Sequence, residues 1–273
     1  MHTSSMPKIY FAIALLFVLS LFGCKSAGPN SSTNNASQPS TADKKSSANT
    51  TGSCYNAYYP ATPTLKKTYK ITYGAGGMSP ATYTESYINL TSDGFVQKLE
   101  FAQRNTTGKA GAGTDIKVEG GVKCKPDGLA ILEYGNLTAG QNMKFKYKTM
   151  NTNGISFPND AEWQVGKKWQ MVYDVEGQML DAPKTVMNMA TKGAITIGCE
   201  IIGKESITVP TGTYDTFKVA MTYNPNLKMT MMGREVPMNM TFKSTTWFAK
   251  DIGMVKSIAD EFKATTELMT LTR

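Results

Sequence analysis

Histidine is almost missing from this sequence: its 273 residues contain one, His2, in a segment that reads as a removable leader. The rest of the chain has none, which excludes Ser-His-Asp and Cys-His catalysis and every histidine-ligated metal site. None of the four cysteines falls in a Cys-x-x-Cys pair, so redox and zinc motifs of that kind are absent. Charged residues make up only 18%, and no window sustains a capped helical period, which excludes a coiled coil. No apolar run reaches the roughly 20 residues a membrane-spanning helix needs. There is no nucleophile elbow and no Ser-x-x-Lys setting, and the glycine-rich run at 108–113 lacks the strand-and-helix context of a phosphate loop. We therefore expect no enzyme, no catalytic residue, no cofactor and no metal.

What is present begins with an address. Lys8 precedes an apolar run from Ile9 to Phe22, interrupted only by Ser20, of the length of a signal-peptide core. It ends in Leu21-Phe22-Gly23-Cys24, which resembles the lipobox of bacterial lipoproteins. That resemblance implies a lipidated Cys24 as the mature N-terminus, with several acyl chains giving stable attachment where one would be marginal. Residues 25–53 are Ser/Thr/Asn/Ala-rich without an aromatic, too polar to offset the entropy of ordering. As a coil they would span about 30 Å. Lys25, where an Asp would signal retention, implies transfer to the outer membrane by resemblance to lipoprotein sorting. The expected organisation is a signal peptide at 1–23, a disordered tether at 24–53 and one β-rich domain at 54–273. The expected location is the bacterial cell envelope, with the membrane a partner through the N-terminal lipid.

The formal charge is +8, falling to about +5 for residues 54–273 once Lys8 and the tether are set aside. So mild an excess argues against nucleic acid as a partner. The densest basic stretch, Lys144-Phe145-Lys146-Tyr147-Lys148, would in a strand set three lysines on one face, as a solvated surface. Cys54, Cys124 and Cys199 remain after Cys24 is assigned to lipid. Cys199 lies in the apolar stretch AITIGCEII and reads as a core residue. Cys54 opens the folded body and Cys124 precedes a turn, and we expect them to form a disulfide.

From residue 67 onward the dominant period is two. Tyr69, Ile71 and Tyr73 share one face, Tyr83 and Tyr87 continue it, and Ser92-Asp93-Gly94 turns the chain into a strand at 95–101. Further strands are expected at 114–124, 128–134, 142–150, 169–176, 193–202, 213–223, 226–232, 238–248, 253–260 and 262–271. Turns are expected at Pro126-Asp127-Gly128, Asn151-Thr152-Asn153-Gly154, Pro210-Thr211-Gly212 and Gly233-Arg234-Glu235. The best helix candidate is a short one at 181–191. The fold class is all-β: a large curved antiparallel sheet or unclosed barrel with at most one or two short helices.

Four stretches then suggest a family: Tyr59-Pro60 before an aromatic strand, Cys124-Lys125-Pro126-Asp127-Gly128-Leu129, Val209-Pro210-Thr211-Gly212-Thr213-Tyr214-Asp215-Thr216-Phe217-Lys218-Val219, and Trp247-Phe248-Ala249-Lys250-Asp251-Ile252-Gly253-Met254-Val255-Lys256. Together they resemble bacterial envelope lipoproteins of the TapB-like or DUF3108-like group. That implies a fold similar to the lipoprotein carriers LolA and LolB, a curved sheet forming an unclosed barrel. The motifs mark turns and strand starts, and the resemblance carries over no catalytic residue.

Methionine is the compositional anomaly, with 17 residues, 15 of them after the signal peptide. A hairpin turning at Gly233-Arg234-Glu235 would place Met229, Met231, Met238, Met240 and Phe242 on one face. Three readings are open: a core face, a groove for an apolar ligand, and thioether coordination of Cu(I). Two functions follow. The first is a lipid-anchored extracytoplasmic protein that binds an apolar ligand or lipid on its curved sheet without catalysis. The second is a structural or protein-interaction component of the envelope that acts through its outer surface.

Overall fold

The computed structural model describes residues 54–74, 80–103, 115–132, 137–139, 143–180, 190–231, 234–261 and 263–273. The leader, Cys24, the whole of the expected tether, the glycine-rich run and residues 181–189 of the expected helix lie outside them. Fifteen strands form one sheet: β1 (Lys66–Tyr73), β2 (Ala81–Ile88), β3 (Gly94–Gln103), β4 (Asp115–Lys125), β5 (Gly128–Ile131), β6 (Leu137–Ala139), β7 (Met143–Gly154), β8 (Phe157–Pro158), β9 (Lys168–Leu180), β10 (Ala190–Val209), β11 (Gly212–Met231), β12 (Arg234–Met238), β13 (Phe242–Ala249), β14 (Gly253–Ala259) and β15 (Ala264–Thr272). The one helical element among the described residues is a 3₁₀ turn, Asp160–Glu162. The chain is all-β, as the period of two requires.

The alternation is visible strand by strand. In β1, Lys67, Tyr69 and Ile71 are buried while Lys66, Lys70 and Thr72 are exposed. In β2, Ala81, Tyr83, Glu85 and Tyr87 are the buried set. The strand order is β3-β2-β1-β15-β14-β13-β11-β10-β9-β7-β6-β4-β5-β8, with β12 on β11 and a further pairing of β3 with β4. Among the described residues the circuit from β4 to β7 runs through β6, three residues long. The sheet therefore curls around its own interior without closing into a continuous barrel.

Three of the expected turns are present. Ser92 and Asp93 lie in the hairpin between β2 and β3, where the Thr91 N–H donates to the Gly94 carbonyl. Val209 pairs with Gly212 across the two-residue loop Pro210-Thr211, and Gly212 takes φ +138°. Lys125 pairs with Gly128 across Pro126-Asp127, and a Cβ at Gly128 would come 2.0 Å from the Phe157 carbonyl oxygen. That close approach requires glycine.

Other boundaries differ from expectation. Asn151-Thr152-Asn153-Gly154 is not a turn: it continues β7 in register with β9, after a shift at Thr149/Asn151 that absorbs the extra residue. The stretches 213–223 and 226–232 join in one 20-residue strand, β11, through Pro225. Pro225 falls where β11 has passed its last partner in β13, Phe242, and has not reached its first in β12, Met238. One flank there has no ladder for a missing N–H to break. β10 is equally long, and the expected strand 128–134 is instead the shorter β5. Arg234 and Glu235 belong to β12, with Met231 opposite Arg234, and the expected strand 238–248 is divided, so that Met240 belongs to neither β12 nor β13.

Candidate functional site

One end of the sheet is filled by two segments far apart in sequence. Residues 54–65 enter it first: Tyr58 stacks on Trp163 with ring centroids 4.1 Å apart, and Tyr59 stacks on Phe157 at 4.3 Å. Polar bonds fix this segment at its edges. The Asn56 side-chain amide donates to the Pro158 carbonyl (2.8 Å), the Ala57 N–H to Asp160 Oδ1 (2.8 Å), and the Asp251 N–H to the Ala57 carbonyl (2.6 Å). The indole N–H of Trp163 donates to the Pro158 carbonyl and that of Trp169 to the Ser156 carbonyl. These bonds satisfy both indole N–H groups.

Behind the plug lies a buried charge cluster. Lys67, 1% exposed, pairs through Nζ with Glu85 Oε2 at 3.0 Å. The same carboxylate accepts from the Tyr87 hydroxyl (2.7 Å) and the Gln97 amide (2.7 Å) on Oε1, and the Tyr69 hydroxyl, 3.3 Å from Oε2, donates to the Met254 carbonyl at 2.9 Å. Lys67 also sits over the rings of Tyr87 and Tyr59, 5.3 and 5.9 Å from their centroids, an added attraction for a desolvated cation. Burial first, and the Glu85 charge second, hold the phenols of Tyr59, Tyr69, Tyr83 and Tyr87 well above the ordinary tyrosine range. Tyr59, Lys67, Tyr83, Glu85, Gln97 and Leu99 line a cavity of about 20 Å³ here, room for about one water molecule.

This cluster carries a signal in the sequence, in the parity of its polar residues. Lys67 has the parity of Tyr69 and Ile71, Glu85 lies midway between Tyr83 and Tyr87, and Gln97 lies midway between Phe95 and Leu99. Three polar residues at core parity in consecutive strands must meet one another if the strands pair in register. They do: Lys67 is opposite Glu85, and Glu85 opposite Leu99, one residue pair from Gln97 on that face.

The methionine-rich segment lies at the other end. Leu227 is opposite Met238, Met229 opposite Val236, and Met231 opposite Arg234, so Met229, Met231 and Met238 hold register positions on the Leu227 side. The side chains of Met231 and Met238 lie outside the described residues. Met229 is half-buried, Val236 is 49% exposed and Met240 63% exposed. Phe242 instead belongs to the core, its ring 6.0 Å from that of Tyr223 in a cluster with Tyr173, Ile195 and Leu227. The strand of the basic stretch at 144–148 is present within β7, and its side chains lie outside the described residues.

The structure pairs Cys54 with Cys124, their Cα atoms 5.4 Å apart, a usual disulfide separation. This fixes the start of the described residues to β4. Cys199 is buried in the main core. Among the described residues no three of His, Cys, Asp and Glu converge on a metal-binding position. On the outer face, Glu205 accepts from the Trp247 indole N–H (2.7 Å) and pairs with Lys218 (2.9 Å). These two contacts, the indole bond first, hold its carboxyl below the ordinary range.

Fold and interior define a curled, single-sheet, all-β protein closed at one end by its own N-terminal segment. A family model described as DUF3108-like matches residues 88–272, about two thirds of the chain, and the chain belongs to the DUF3108-like family. Two solved structures align with it. One is a protein described as exported, with a YmcC-like fold, from Bacteroides fragilis NCTC 9343, at 11% identity and TM-score 0.44 over 80% of this chain and 100% of that one. The other is a protein described as a lipoprotein from Parabacteroides distasonis ATCC 8503, at 16% identity and TM-score 0.43 over 80% of this chain and 99% of that one. No curated protein matches the chain.

Proposed function

We propose that this protein is a non-catalytic component of the bacterial envelope, anchored through lipid on Cys24 at the outer membrane, that works by docking to another envelope component. The observation that carries this reading is the occupied interior. At β1–β3, Tyr59, Phe157 and the Lys67–Glu85 pair pack into the concave side, and the cavity they line measures about 20 Å³. An acyl chain needs many times that volume. Cys54, the first described residue, lies at the plugged end, and the remote end, with Val236 and Met240 exposed, is the surface we assign to docking.

The apolar-ligand reading is kept for one place, the Met229, Met231 and Met238 side of the β11–β12 hairpin, because Met229 there is only half-buried. Native mass spectrometry of the mature chain, secreted with Cys24→Ser and purified without detergent, separates the two. A bare protein mass supports docking. Lipid that co-purifies and is lost on Met229→Glu establishes the ligand reading. Metabolic labelling with a fatty acid, abolished by Cys24→Ser, tests the anchor.

A further inference from the structure

We propose that the cavity behind the plug binds one internal water molecule, held between the Tyr83 hydroxyl and the Lys67 ammonium. Tyr83 is 2% exposed and lines the cavity, and its hydroxyl has no hydrogen-bond partner among the described residues. Its ring is clamped between Tyr69 and Phe101, each 4.9 Å away by centroid, so it cannot swing toward a protein acceptor without breaking the stack. A buried hydroxyl without a partner is costly, and proteins of this kind satisfy such groups with water where space allows.

The space and the bonding capacity agree. About 20 Å³ exceeds the roughly 10–15 Å³ that one water requires. Glu85 is heavily engaged, with Tyr87 and Gln97 on Oε1 and Lys67 on Oε2, while the Tyr69 hydroxyl, 3.3 Å from Oε2, makes its shorter bond to the Met254 carbonyl at 2.9 Å. Lys67 is not saturated: it has three N–H donors and the carboxylate as its ion-pair partner. A water in the cavity therefore accepts from Lys67 and bonds Tyr83, with the Gln97 amide the third polar group on the wall. Leu99, Phe157 and Phe248 supply the apolar remainder, which confines the site to a single molecule. The water thereby links Tyr83 to the ion pair, making β1, β2 and β3 one polar network inside an otherwise apolar interior.

Two measurements decide it on the full mature chain. A crystal structure at a resolution that shows ordered solvent should contain one water within hydrogen-bond distance of Tyr83 Oη and Lys67 Nζ, and a cavity without density there overturns the proposal. Tyr83→Phe removes a single oxygen and leaves the stack intact. If the water is bound, its loss strips both the water and Lys67 of a partner, and Tm falls by several degrees. If the cavity is dry, the same change deletes a buried unsatisfied hydroxyl and Tm rises or stays level, which also overturns the proposal. Should Tyr83→Phe fail to fold, the crystal structure of the unmodified chain still decides.

Discussion

The two ends of the sheet obey the same alternation and reach different results. At the plugged end, residues 54–65 and 155–163 close over the strands, and Tyr59, Phe157, Trp163 and Trp169 are all buried. At the far end, β11 runs past its last pair with β13, and Val236 and Met240 stand exposed. The difference is coverage. A strand that alternates offers an apolar face in either case, but that face becomes core only where another part of the chain returns to cover it. Nothing in the local pattern of Met229–Met240 differs in kind from that of Tyr83–Tyr87.

If the plugged end is where stability resides, alkali should attack it first. Tyr59, Tyr69, Tyr83 and Tyr87 all have their phenol pKa raised by burial. The sign follows directly: the stability is fully present below the unfolded tyrosine value, about 10, and is lost as pH rises above it, because only the unfolded chain ionises. Each such tyrosine removes about 1.4 kcal/mol per pH unit there, so the four together should remove on the order of 5 kcal/mol per unit. Tyrosinate absorbance should rise in one cooperative step together with loss of the β-sheet circular dichroism. Four independent, gradual titrations would break the comparison.

Next in size is the ion pair. Glu85→Ala leaves Lys67 buried without its anion and should cost about 3–5 kcal/mol in denaturant unfolding. Lys67→Met with Glu85→Leu should recover most of that loss, since an apolar replacement of a buried pair is often neutral. Opening the Cys54–Cys124 disulfide by Cys54→Ser with Cys124→Ser should cost about 2–4 kcal/mol. Hydrogen exchange should then rise first in residues 54–65, where the clamp on the plug is lost, and an equal rise at β11–β12 would contradict its placement.

The strands and the Pro210-Thr211 and Pro126-Asp127 turns were legible in the sequence, because each depends on residues a short distance apart; the Cys54–Cys124 pairing was not, because spacing does not fix connectivity. The Lys67–Glu85 cluster was legible in principle, since a charge at core parity must find a partner. No single strand reveals it, because a strand's parity is informative only once neighbouring strands are set in register. Pro225 and Asn151–Gly154 misled for the opposite reason. Both are local turn formers, and the long ladders β10–β11 and β7–β9 overrode them by absorbing one residue in a bulge or by placing proline where a flank is empty. The plug was not legible at all, because its value lies in Trp163 and Phe157, about a hundred residues away.

The smallest expected effect is the one that tests whether the far end works as a surface. Val236→Ser with Met240→Ser touches side chains that are about half exposed or more, and surface changes of this kind move stability by no more than about 0.5 kcal/mol. Leu227→Ala, from the same hairpin but buried, should cost about 2–5 kcal/mol. The contrast within one hairpin separates surface from core without reference to function. The serine variant should then fold, anchor and keep its unfolding midpoint, yet lose the in-cell photo-crosslinks formed by a probe residue at position 239. Retained crosslinks in the serine variant would move the docking surface elsewhere. A loss of stability approaching that of Leu227→Ala would mean that Val236 and Met240 are covered in the mature protein, making the hairpin part of the core.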